Sequence, residues 1–143
     1  RTGEVWEAKP IIPGHQGSVF NQDSVGVPCL ALNDGLATAW GHACHPDFAG
    51  KRVLTLALGT GVGAGFVHEG RIVAGRRGEY PRLNDLVLAG GGTIEDALGG
   101  ASLADDLEVD AQGNKVPNAD ARELAIQAFR LAYRTAVELY YPD

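Results

Sequence analysis

The sequence predicts an α/β fold in which a mixed sheet is covered by packed helices, with residues 1–143 forming a single domain. Three observations lead to this class. Short apolar runs such as Val53–Leu58 are typical of buried strands. A segment rich in helix-forming residues, 121–140, is typical of a long helix. Hydrophobic residues make up 45% of the 143-residue chain, which is enough for one buried core.

Composition excludes several functional classes. Only 12 Lys and Arg oppose 18 Asp and Glu, and without a basic stripe we expect no nucleic acid binding. No apolar run approaches the roughly 20 residues that cross a bilayer, so we expect a cytoplasmic protein without membrane contact. Cys29 and Cys44 lack C-x-x-C spacing, which favours reduced thiols. The absence of methionine suggests an internal piece of a longer chain.

The first half of the chain predicts strands alternating with a helix. A short strand is expected around residues 5–12, followed by a loop rich in proline and glycine. A second apolar run, 25–32, ends at the polar corner Asn33-Asp34, and helical spacing of alanine and leucine follows over 35–43. Lys51-Arg52 then precedes the strand Val53–Leu58.

The second half predicts a glycine loop, a hairpin and two helices. The loop 59–65 separates the strand before it from a hairpin over 66–73 that has Gly70 in its turn. A short helix is expected over 93–98 and an acidic loop over 105–118. The last helix, 121–140, would be capped by Asp120, buried against the sheet and ended by Pro142.

The glycine loop is the strongest candidate for chemistry. Glycines two residues apart let backbone N–H groups converge, and the Thr60 hydroxyl adds a donor, which suits phosphate oxygens. The structural alternative is a tight turn that only joins two strands. No G-K-[ST] sequence ends the loop, which excludes a Walker loop, and a hairpin rather than a helix follows, which disfavours a Rossmann fingerprint.

Asn33-Asp34 is the second candidate. A carboxylate at the end of a buried strand can accept a proton from a substrate hydroxyl while the neighbouring amide orients that substrate. Asp34 is therefore a candidate general base. The alternative is that either residue only caps the helix that follows.

The order of these motifs resembles the middle of a ROK (repressor, open reading frame, kinase) sugar kinase. Asn33-Asp34, the loop beginning at Gly59, then Gly70 and the stretch 75–79 have the order and spacing of that family. The resemblance covers nearly the whole chain, as the middle and C-terminal-lobe part of such a kinase, and suggests truncation at both ends. It implies the actin-like, ribonuclease H-like ATPase fold, with a hexose, ATP and Mg²⁺ as ligands.

The resemblance also implies roles for individual residues. Asp34 would be the catalytic base and would contact the sugar together with Asn33, and Glu79 and Glu95 would bind sugar hydroxyls. The phosphate-binding residues would be Gly59, Thr60, Gly61 and Gly63. For the two glutamates, the alternative is a solvated surface position.

Departures from the family pattern bear on the sugar site. Arg82 stands where the family's G-E-x-G-H motif has histidine, and the zinc-binding cysteine cluster is missing. We therefore expect no structural zinc and an altered or impaired sugar site. His42, Cys44 and His45 lie close in sequence, but their spacing at a helix end converges poorly on a metal.

These observations leave three hypotheses. The first is ATP-dependent phosphorylation of a hexose or an N-acetylated amino sugar. The second is a sugar-binding effector domain of a ROK-type repressor, without catalysis, and the third is a degenerate ROK protein that binds no sugar. A sheet with an uncovered edge or apolar face also predicts a homo-oligomer.

Overall fold

A computed structural model describes residues 17–19, 21–28, 32–76 and 80–143. The strand expected over 5–12 lies outside these residues, as does Cys29. The helices are α1 (Gln22–Val25), α2 (Asp34–Ala43), α3 (Ile94–Leu98), α4 (Gly100–Leu103) and α5 (Ala119–Tyr140). The strands are β1 (Val53–Leu58), β2 (Val62–His68), β3 (Arg71–Ile72), β4 (Leu107–Val109) and β5 (Lys115–Pro117). Single 3₁₀ turns occupy Pro46–Phe48, Leu83–Asp85 and Ala104–Asp106.

The central sheet of the described part has the order β1-β2-β3 and is antiparallel. Glu69 and Gly70 join β2 to β3, and both have positive φ, 50° and 72°, as a two-residue hairpin of the type I′ kind requires. The predicted strand β1 and the hairpin are confirmed. The glycine loop is shorter than predicted, because β2 begins at Val62 and pairs with Leu58.

Helices cover both faces of this sheet. Alternate residues of a strand face opposite sides. On one side Val67 packs with Ala39 and Ala43 of α2. On the other side Ala64 packs with Leu83 and with Ala136 of α5. The result is a helix–sheet–helix sandwich, which confirms the predicted α/β class.

Helix α5 lies against α3 and the sheet along one stripe only. Its buried residues are Ala128, Ala132 and Ala136. Near its end the rings of Phe66 and Tyr140 are 4.9 Å apart. The predicted burial of this helix holds along that stripe only, because large apolar side chains outside it are exposed: Ile126, Phe129, Tyr133 and Val137.

The start of α5 differs from the prediction, whereas its last residue, Tyr140, is as predicted. The cap is Asn118, whose side chain accepts a hydrogen bond from Ala121 N–H, and not Asp120. The helix ends where Tyr141 adopts a left-handed conformation (φ 44°), one residue before Pro142. Among the described residues, no helix combines the length and apolarity needed to span a bilayer.

Two further segments correct the sequence predictions. Val25 ends α1, and residues 26–28 form no strand, so the strand expected over 25–32 is not found in its described part. The acidic segment 105–118 is not a loop but contains the β4–β5 hairpin. Asp110 organises its turn by accepting hydrogen bonds from Asn114, which lower the pKa of its carboxyl group. The sequence did not predict this hairpin, because the segment contains more acidic residues than the apolar residues that are typical of strands.

Candidate functional site

Asn33 and Asp34 form the amino-terminal end of α2. The Asn33 side-chain oxygen accepts hydrogen bonds from Gly35 N–H (3.0 Å) and Leu36 N–H (3.3 Å). Asn33 is thus the helix cap, as the structural alternative proposed. One oxygen of the Asp34 carboxylate also accepts from Gly35 N–H (2.9 Å), and Asp34 is exposed in the first turn. The roles of Asn33 as a sugar ligand and of Asp34 as a base stay predictions.

The cap gives a first testable prediction. Asn33→Ala should lower the free energy of unfolding by about 0.5–2 kcal/mol, because two N–H groups of the first turn lose their acceptor. Urea denaturation of both proteins measures this difference. Asn33→Ser is the control, since serine is also a good cap and should restore most of the stability. Equal losses for alanine and serine would contradict the capping role.

Close backbone contact holds the amino end of α2 on β2. A Cβ atom at Gly35 would lie 2.6 Å from the carbonyl oxygen of Ala64, closer than real contacts allow. A Cβ atom at Gly65 would collide with the carbonyl of Gly35 and lie 2.7 Å from the Cβ of Ala39. At Gly63 the nearest atom, Gly35 Cα, would be 3.6 Å away, an ordinary contact. The second half of the glycine motif, Gly63 and Gly65, therefore packs against helix α2.

The first half of the motif forms an exposed turn, Gly59–Gly61, between β1 and β2. Gly59 N–H donates to the carbonyl of Gly61 (2.9 Å) within this turn. Within the described part of the chain, no partner is found for the amide groups of Thr60 and Gly61. These two donors are therefore available to an anion. Gly63, predicted as part of the loop, instead lies in β2 opposite Ala57.

Glu95 reaches this turn from α3. Thr93 caps α3 in a capping box with Asp96, and the Thr93 hydrogen bonds lower the pKa of the Asp96 carboxyl group. One oxygen of the Glu95 carboxylate accepts from Val62 N–H (2.9 Å). The other would lie 2.6 Å from a Cβ atom at Gly61, so only glycine fits there without moving it. Glu95 is half-buried against the glycine turn, and its role as a sugar ligand stays a prediction.

The remaining predicted residues are less informative. Glu79 lies outside the described residues. Arg82, at the position of the family histidine, is exposed and forms an ion pair with Asp85. His45 contacts Asp47 and Phe48. Among the residues that the structure describes, no three His, Cys, Asp or Glu side chains converge as metal ligands would.

Two concavities of the described part lie away from Asp34. One, of about 320 Å³, follows β1 and is also lined by the carboxy-terminal residues Pro142 and Asp143. The other, of about 450 Å³, lies along α5 beside Arg130 and Arg134. The first four residues of β2 instead contact Gly35, which follows Asn33 and Asp34 in α2, and Glu95 of α3, and they directly follow the glycine turn.

Solved structures share this fold. The ROK hexokinase of Thermus thermophilus matches 99% of this chain and 55% of its own, with a TM-score of 0.72 and 26% identity. The inorganic polyphosphate/ATP-glucomannokinase of Arthrobacter sp. strain KM matches 99% of this chain and 51% of its own, with a TM-score of 0.67 and 22% identity. The chain thus spans about half the length of these structures.

Curated relatives match shorter stretches. The N-acetylmannosamine kinase of Citrobacter koseri is 39% identical over 59 residues, 40% of this chain and 20% of that protein. The bifunctional enzyme NanE/NanK of Brucella melitensis is 30% identical over 93 residues, 62% of this chain and 18% of that protein. The chain therefore covers about a fifth of the length of these relatives.

The fold and the arrangement around β2 define an α/β lobe of the actin-like ATPase class, which confirms the predicted fold. Comparison with protein-family models matches residues 20–84 to the ROK family. This stretch contains α2, β1, the glycine turn and β2. Through this stretch, the chain resembles the ROK family.

Proposed function

We propose that this chain takes part in transferring the γ-phosphoryl group of ATP to a hydroxyl group of a hexose or an N-acetylated amino sugar. One observation supports this most directly. Gly35 packs on Gly63–Gly65, which sets the helix end with Asp34 against the strand that directly follows the glycine turn. A base and a phosphate-binding turn are the two parts that this reaction needs side by side.

In this proposal each group has a defined task. Thr60 and Gly61 N–H groups donate hydrogen bonds to phosphate oxygens of the nucleotide. The Asp34 carboxylate accepts the proton of the sugar hydroxyl. The sugar oxygen forms a bond to the γ-phosphorus while the bond from that phosphorus to the β–γ bridging oxygen breaks, and ADP leaves. Mg²⁺ would screen the phosphate charge, and no side chain of the described part is assigned to it.

The sugar side of the site rests on Asn33, Asp34, Glu79 and Glu95. The Asn33 side-chain oxygen is occupied by the helix cap, so its amide NH₂ group is the part available to a sugar oxygen. Kinase names among the relatives reported above favour phosphoryl transfer over a repressor effector domain. We further propose that the 143 residues act as one domain, within the middle and C-terminal-lobe part of a ROK kinase.

Thermal shift against a panel of hexoses and N-acetylated amino sugars tests the sugar site. A ligand that binds only the native state raises the melting temperature. One sugar should do so in a concentration-dependent manner, and Glu95→Ala and Asp34→Ala should weaken the shift. L-Glucose, which has the same composition but inverted stereochemistry, is the control sugar. An unchanged melting temperature with every sugar would contradict sugar binding by this chain.

Self-association is a separate prediction. The exposed apolar face of α5 and the free edge of β1 within the described sheet would both be covered by an oligomer. Light scattering over a range of concentrations should show a molecular mass that rises above 15.0 kDa. Phe129→Ser and Tyr133→Ser on that face should reduce it. A monomer at the highest concentration would contradict the prediction.

A further inference from the structure

The glycine turn has little internal structure to hold its shape. Gly59–Gly61 is exposed or half-buried, and its one internal hydrogen bond joins Gly59 N–H to the Gly61 carbonyl. Glycine gains more conformational freedom than other residues when it is not restrained. A turn that presents Thr60 and Gly61 N–H groups in a fixed direction therefore needs contacts from outside.

The segment 95–101 supplies those contacts. Gly100 N–H donates to the Gly59 carbonyl (2.8 Å) and Ala101 N–H to the Thr60 carbonyl (2.9 Å). Val62 N–H, directly after the turn, donates to the Glu95 carboxylate (2.9 Å). Three successive peptide groups of the turn therefore have hydrogen-bond partners outside it. Two of these partners are backbone N–H groups and one is a side chain.

Gly99 and Gly100 are what allow this segment to come so close. A Cβ atom at Gly100 would lie 2.8 Å from the Gly59 carbonyl oxygen. A Cβ atom at Gly99 would lie 2.7 Å from the Glu95 carbonyl and 3.4 Å from the Thr60 carbonyl. The glycine pair at the junction of α3 and α4 thus fits directly against the turn between β1 and β2.

We propose that Glu95 is a positioning residue for the phosphate-binding turn, in addition to any contact it makes with a sugar. A hydrogen bond from a backbone N–H to a carboxylate is stronger than one to a neutral acceptor. It fixes Val62, and with it the direction of the Thr60 and Gly61 N–H groups. Glu95 therefore links the α3 side of the site to the turn that would hold the nucleotide. The kinetic part of this inference rests on the proposed function.

Amide hydrogen exchange tests the hydrogen bond without any activity. In Glu95→Ala the exchange rate of Val62 N–H should rise at least about 10-fold, and those of Gly100 and Ala101 should rise with it. Glu95→Gln keeps a carbonyl oxygen at the same reach and should restore most of the protection. Asp96→Asn is the matched control, because it weakens the capping box of α3 but leaves the Glu95 carboxylate in place. Unchanged protection of Val62 in Glu95→Ala would overturn the proposal.

Kinetics then separate positioning from sugar binding. For a positioning role, Glu95→Ala should raise KM for ATP and lower kcat, and Glu95→Gln should recover both. A variant that raises only KM for the sugar, with no recovery by glutamine, would overturn the positioning role. A wild-type chain that phosphorylates no sugar would contradict the proposed function, and the exchange result for Val62 would still decide whether Glu95 holds the turn.

Discussion

Asp34→Asn should lower the rate of sugar phosphorylation by roughly 100- to 10,000-fold, the range expected when a general base is removed. Asparagine has nearly the same shape and keeps a side-chain oxygen that can accept from Gly35 N–H, as Asp34 does at 2.9 Å. Helix α2 should therefore stay in place while the proton acceptor is lost. A coupled assay of ADP release, at saturating sugar and ATP, measures the change.

Asp120→Asn is the matched control for this substitution. Asp120 is also an exposed aspartate in the first turn of a helix, α5, and lies far along the chain from the candidate site. Its substitution should leave turnover unchanged. Thermal shift with whichever sugar of the panel raises the melting temperature should show that Asp34→Asn still binds it. Normal turnover by Asp34→Asn would contradict the assignment of the base.

Gly65→Ala should have the largest effect on stability. The added methyl group would collide with the carbonyl of Gly35 and lie 2.7 Å from the Cβ of Ala39. Both neighbours belong to a helix that packs along β2, so relief requires α2 to move away from the sheet. Overpacking of this kind costs about 1–3 kcal/mol or more. Chemical denaturation should show a lower midpoint, and with α2 displaced the chain should also lose phosphorylation activity.

Two other glycines serve as controls for Gly65→Ala. Gly63→Ala places its methyl group at ordinary contact distance, 3.6 Å from Gly35 Cα, and should cost far less. Gly41 lies within α2 with nothing within 4 Å of an added Cβ, so Gly41→Ala should stabilise the chain by about 0.5–1 kcal/mol. Similar losses for Gly63→Ala and Gly65→Ala would contradict close packing of α2 as the reason for the glycine.

The sequence predicted those elements whose signal is local. The β-branched and leucine run of β1, the turn at Gly70 and the short helix after Thr93 are confirmed at or near their predicted bounds. Each depends on a short apolar run, on a residue with positive φ, or on a capping side chain, which neighbouring residues alone determine. The α/β class followed from their order along the chain.

What the sequence left undetermined depends on contacts between distant segments. The glycine motif was predicted to be a single loop over 59–65 that binds phosphate. Only Gly59–Gly61 forms a turn, and the residues from Val62 onward belong to β2. Only glycine fits at position 65 because the backbone of Gly35, 30 residues earlier, packs against it. Gly61 similarly lies against the carboxylate of Glu95, 34 residues later. The exposed face of α5 was missed for a similar reason. Apolar residues all around a helix indicate burial only when another segment covers each side.

The contact of Gly35 with Gly63 and Gly65 has a consequence for motion within the site. Side chains in a packed core exchange between rotamers, and such exchanges shift neighbouring groups. Where α2 meets β2 at these glycines there is no χ angle on either side, so the two backbones touch without an adjustable group between them. The backbone of Asp34 is therefore set relative to the glycine turn independently of rotamer exchange in the surrounding core.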